Sequence, residues 1–107
     1  MADWKDVFKD AIAAGSAKLE ARGGEAKSYL KDIAQAQKAS LESLLAAFVD
    51  GRIDKETFES ELADEKRVLR AELLAVRAIS KKGAQDAANA FFDVIEGALA
   101  AGIKGLL

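Results

Sequence analysis

At 107 residues, half of them apolar or alanine, the chain is long enough for one compact domain. Its 16 basic and 18 acidic side chains leave a net charge of −2, so no general field draws it to nucleic acid or to an anionic membrane. His and Cys are both absent, which removes imidazole bases, Ser-His and Cys-His nucleophile systems, thiolate chemistry and disulfides; no enzyme activity, cofactor or metal centre is expected.

Pro is also absent, and Ala, Leu, Lys, Glu and Asp dominate, a composition that favours long helices because these side chains lose little freedom there. The predicted fold class is all-α. The first residues, Met1-Ala2-Asp3-Trp4-Lys5-Asp6, enter an amphipathic pattern at once. They lack the basic, apolar, small-residue order of a signal peptide. No segment is apolar enough for a transmembrane helix, and a cytoplasmic location is expected.

Trp4, Phe8, Ile12, Gly15 and Leu19 form the first apolar stripe, and they lie nearly in phase with Leu30 and Ile33 across Gly23-Gly24. Ala26, Leu30, Ile33, Gln37, Leu41, Leu44 and Phe48 then follow in steps of three and four, the cleanest helical signal in the chain. Gln37 interrupts that stripe with an amide. It can fix register or oligomeric state against a symmetry mate, or simply reach solvent or a backbone carbonyl. Beside the stripe, Tyr29, Ala36, Ser40, Ser43 and Ala47 make a second face of mostly short side chains, a candidate interface for another helix.

Asp50-Gly51-Arg52-Ile53-Asp54 is the turn. Gly51 suits a left-handed helix end, Asp54 an N-cap, and Ile53 with Phe58 a hydrophobic staple across that cap. The second arm carries Phe58, Leu62, Leu69, Leu73 and Val76, and beyond Gly83 the stripe resumes with Ala87, Phe91, Val94 and Ala98. Asp54, Glu61, Glu65 and Glu72 border this stripe on one side; without any His they read as a solvated acidic edge rather than a di-metal site. Lys66, Arg70, Arg77 and Lys81 border it on the other, within about 60° on a continuous wheel. Such a basic ridge could track phosphates, but no aromatic interleaves it, and charge-complementary helix packing is favoured.

The preserved phase across Gly23-Gly24 and Gly83 predicts a long antiparallel hairpin with arms 3–49 and 55–106 joined by a turn at 50–54. The glycines then act as kinks, and each arm is about 70 Å long at 1.5 Å per residue. Two hairpins would pair as a homodimer into a four-helix bundle. The alternative is a monomeric up-down four-helix bundle in which the glycines mark true turns. Folding about Arg52 gathers both termini and the aromatics at one pole.

Exposed apolar area of that size marks an interface. Trp4, Phe8, Ile12, Tyr29, Ala36, Gln37, Ser40, Phe91, Phe92, Ile95 and Leu99 are therefore the candidates for self-association. The leading functional reading is a non-enzymatic structural or adaptor protein, a homo-oligomer with a possible protein partner. A membrane-surface or pore-forming protein using the apolar pole is the alternative. A nucleic-acid accessory using the basic ridge is the third.

Overall fold

Three short polar side chains start three of the four helices. The computed structural model describes residues 2–19, 24–76 and 79–104. After a two-residue strand β1 (Ala2–Asp3), helix α1 (Trp4–Ala17) opens on Asp3, whose carboxylate accepts the Lys5 backbone N–H at 3.0 Å. Helix α2 (Gly24–Val49) follows, then α3 (Lys55–Leu74), capped by Asp54, and α4 (Lys81–Ala101), capped by Ser80. Each cap satisfies a backbone donor that has no partner within its helix.

The turn folds as its residues dictate. Gly51 takes φ 74°, its N–H donates to the Phe48 carbonyl at 3.1 Å, and the Arg52 N–H reaches back to the Ala47 carbonyl at 2.9 Å. This is a Schellman closure of α2, and it needs a residue that tolerates the left-handed region. Two residues on, Asp54 accepts the Thr57 N–H at 2.7 Å. That backbone N–H, and then the Thr57 hydroxyl, hold the Asp54 carboxyl below its ordinary value of 3.8. Above the cap, Phe48 and Phe58 stack with centroids 4.1 Å apart and planes 11° from parallel, tying the two helices together next to the turn.

The two long arms are not present; each is broken. The first stops at Ala17, where the Leu19 N–H turns back to the Ser16 carbonyl at 2.9 Å and Leu19 itself is fully buried. The second stops at Leu74, nine residues before Gly83 is reached, and Gly83 lies inside the first turn of α4. Lys81-Lys82-Gly83, which resembles a helix end, is a helix beginning: Ser80 Oγ accepts the Gly83 N–H at 3.0 Å. Two lysines at the positive end of a helix dipole are unfavourable, and Lys82 is offset by its ion pair with Asp86 at 2.7 Å. Phase across the breaks misleads because any helix in a bundle turns its stripe to the same core, whether or not the helix before it continues. Gly23 lies outside the described residues, and Gly24 begins α2.

Four helices from one chain thus supply the bundle that the hairpin reading assembled from two. Its extents are 40 × 24 × 20 Å, too short for an arm of about 70 Å. Each helix packs on its neighbours in sequence, and α1 closes the ring by packing most extensively of all on α4. Along α1, Trp4 meets Glu42 and Phe8 meets Lys38, while a Cβ on Gly15 would lie 2.9 Å from Leu30. The partners on α2 fall in number as those on α1 rise. The termini do come together: β1 pairs in parallel with β2 (Ile103–Lys104), Ala2 opposite Ile103, and Gly102 at φ 98° lets the chain leave α4 for that strand.

The core is continuous from end to end. At the terminal pole, Trp4 and Phe8 lie 5.5 Å apart, Phe8 meets Phe91 edge-on at 6.0 Å, and Phe91 meets Phe92 at 5.1 Å. These four rings are all at most 3% exposed, and Ile95 is fully buried beside them.

Candidate functional site

On α2, the residues one step round the helix from the buried stripe are short. Ala36, Ser40 and Ser43 are exposed and Ala47 is half-buried, and no helix of the bundle covers them. On α3, the buried stripe of Phe58, Leu62, Leu69 and Leu73 is flanked on the same side by Glu61, Asp64, Glu65, Val68 and Glu72. Short side chains facing longer ones leave an open groove of about 720 Å³ between the two helices. Its floor is Ile33, Gln37 and Leu44, and its outer wall is the acidic row. Val68 is 45% exposed within that wall, an apolar residue left facing water.

The floor is braced by one polar tie. Gln37, 9% exposed, donates from Nε2 to both the Glu65 backbone carbonyl and the Glu65 carboxylate, each at 2.7 Å. Ser40 donates to the other Glu65 oxygen. Of the two roles open to this amide, reaching a backbone carbonyl is the one realised, and the register it sets is between α2 and α3 of one chain. Along the wall, Asp64 pairs with Arg67 one turn on. Glu61 and Glu72 have no ion pair among the described residues. Among the described residues, the lining holds four carboxylates and no Lys or Arg.

The other predicted residues separate into distinct places. Trp4, Phe8, Phe91, Phe92 and Ile95 are core of this chain, while Ile12 and Leu99 pack half-buried against it. The buried ones are covered within this chain, by α1 and α4 together with Lys38 and Glu42 of α2, which corrects the expectation that this pole stays wet. Tyr29 is 42% exposed on α2. Ala36, Gln37 and Ser40 come together at the groove.

The basic ridge is split by the break after Leu74. Lys66 and Arg70 stand half-buried on α3, Lys81 is exposed on α4, and Arg77 lies outside the described residues. Arg70 is drawn into the α3–α4 seam, donating from Nη1 to Gln85 Oε1 at 2.9 Å, and Gln85 donates in turn to Asn89 at 3.2 Å. A small cleft of about 180 Å³ lies there between Lys66, Arg67, Arg70 and Gln85.

One cluster was not anticipated from the sequence. Trp4 Nε1 donates to Glu42 at 2.9 Å, Lys38 lies 3.9 Å from the same carboxylate, and its ammonium sits 5.2 Å from the centre of the Phe8 ring. This latches the start of α1 to α2 with a satisfied indole and a cation over an aromatic face. The only sequence trace is that Lys38 and Glu42 are four apart on one helix face.

Among the described residues no group of three or more His, Cys, Asp or Glu side chains could hold a metal ion, and no helix is long and apolar enough to cross a membrane. Comparison with known proteins finds no family model, no curated relative and no solved structure that matches the chain.

Proposed function

We propose that this protein is a non-enzymatic adaptor that works by receiving a further helix in the groove between α2 and α3. The observation that supports this is the small-residue face of α2, from Ala36 to Ala47, left open against the wall of α3 over a volume of about 720 Å³. Small side chains let two helix backbones approach closely, and docking an amphipathic helix in an apolar-floored groove is a recurrent mode of recognition. The bundle seals its aromatic pole within one chain, so the motive for self-association through Trp4, Phe8 and Phe91 is removed. The groove remains as the place for a helix, from a protein partner or from a second copy.

Filling the groove tests the reading. Ala36→Trp and Ser43→Trp place large rings on exposed positions and should leave the helical circular dichroism unchanged. Helical peptides selected from a displayed library on the wild-type chain should lose binding to both variants. Selection that yields no binders, or binders indifferent to the filled groove, would overturn it.

A further inference from the structure

We infer that the helix received by the α2–α3 groove belongs to another protein and carries Lys or Arg along the edges of its apolar face, so that this chain selects cation-edged helices and disfavours its own copy. The inference rests on the groove-docking reading above and adds the chemistry of the occupant. Its basis is the spacing of the wall. Glu61, Glu65, Val68 and Glu72 stand at steps of four, three and four, so they share one face of α3, with Val68 as the apolar member between carboxylates. In paired helices, charged residues that flank an apolar seam set which partner is accepted and in which orientation.

The opposite wall leaves the charge unanswered. The α2 residues along the groove are Ala36, Ser40, Ser43 and Ala47, which are neutral, and among the described residues no Lys or Arg lines the space. Glu65 is already engaged by Gln37 and Ser40, and Asp64 by Arg67. That leaves Glu61 and Glu72, 11 residues and so about 17 Å apart along the helix axis, as the two carboxylates available to an incoming cation. A docked helix of about four turns would reach both.

A second copy fits this wall poorly. A two-fold contact through the groove sets each surface against itself, bringing the acidic row of one chain onto a lining that offers only acids and neutral residues. Like charges placed together at an interface are a means of rejecting a partner. The basic side chains of α3 do not relieve this, since Arg67 is taken up by Asp64. Lys66 and Arg70 border the cleft toward α4, where Gln85 holds the Arg70 guanidinium.

Two stapled 18-residue helices test the inference. They share an Ala/Leu stripe and differ only in edge charge, one edged with Lys and the other with Glu. Added to the full chain in low salt, the Lys-edged helix should bind and shift the amide resonances of Ala36, Ser40 and Val68, while the Glu-edged helix should not. Glu61→Lys combined with Glu72→Lys should weaken the Lys-edged helix by about tenfold and reverse the preference between the two peptides. Both positions are exposed on α3, and unchanged helicity and melting of the double variant establish that the loss is not unfolding. Sedimentation of the wild-type chain alone should give a monomer.

Equal binding of both peptides in the groove, or a dimer that Ser43→Trp dissociates, would overturn the charge assignment while leaving groove docking intact. Binding of neither peptide, nor of any selected helix, would overturn both.

Discussion

The α1–α4 pair and the α2–α3 pair are both amphipathic, yet one is sealed along its length and the other stands open along its outer edge. In the sealed pair a glycine does the work of approach. A Cβ on Gly15 would come within 3.2 Å of the Ala87 carbonyl, and the rings of Phe8 and Phe91 fill the next layer. In the open pair the helices are fastened at two levels, by the Phe48–Phe58 stack beside the turn and by the Gln37–Glu65 tie at mid-length. Between and beyond these fastenings, short residues on α2 face a row of carboxylates. Both pairs bury apolar side chains toward the common core, the main source of stability; the open pair in addition keeps an outer surface that differs from the rest in shape and charge.

The largest effect should come from cutting into the sealed pair. Phe91→Ala removes a ring that is 1% exposed and touches Phe8 and Phe92, and truncations of this kind cost about 3–5 kcal/mol. Val68→Ala in the open pair removes a side chain that is 45% exposed and should change stability by less than about 0.5 kcal/mol. Thermal melts followed by circular dichroism compare the two. Similar losses from both would mean that the groove wall is as much core as the pole is, and the contrast between the pairs would fail.

How far this contrast was legible in the sequence depends on whether a feature is local. The turn at 50–54 was legible because Gly51 and Asp54 act through backbone groups within a few residues, and no distant partner is needed to interpret them. The break after Leu74 was not, because its marker, Ser80, precedes two lysines and a glycine that together resemble a helix end. Helical periodicity identified Trp4, Phe8 and Phe91 as apolar-face residues but carried no information on whether their cover comes from the same chain or from another. Gln37 illustrates the same limit. Its position in the stripe left open a symmetry mate, solvent or a backbone carbonyl, and the choice depended on Glu65, 28 residues away. The small face at Ala36, Ser40 and Ser43 was visible as a pattern. The acidic row was visible too, but as a separate edge, since only the α2–α3 packing places the two across one groove.

A smaller effect should follow from cutting the polar tie of the open pair. Gln37→Leu keeps the side chain's bulk in the floor and removes its amide, leaving the Glu65 carboxylate to Ser40 and to solvent. A net loss of about 1 kcal/mol is expected, the usual size for one hydrogen-bonded side chain. The informative readout is local. Amide hydrogen exchange should quicken on α2 and α3 around the groove, while Trp4 emission, which reports the pole, should stay blue-shifted. A Trp4 shift equal to that of Phe91→Ala would show that the two pairs do not behave as separate parts.

The effect of the cap that starts the open pair's second helix is the most local, and its sign is set by pH. Asp54 is exposed, and its carboxyl is held below 3.8 by the Thr57 backbone N–H first and the Thr57 hydroxyl second. A depressed folded-state value means that ionised Asp54 favours the folded chain. That contribution is fully present above 3.8 and is lost as the pH falls through the lower, folded value. Asp54→Ala should therefore melt below wild type at neutral pH, and the gap should close in acid as wild-type Asp54 is protonated. Asp54→Asn separates charge from capping, because Asn accepts the same backbone N–H without titrating. It should stay close to wild type at neutral pH and show no such acid-dependent convergence of its own. A gap for Asp54→Ala that persists unchanged in acid would assign the loss to helix propensity at the turn rather than to the cap. The start of α3 would then rest on the packing of Phe48, Phe58 and Ile53 beside the turn.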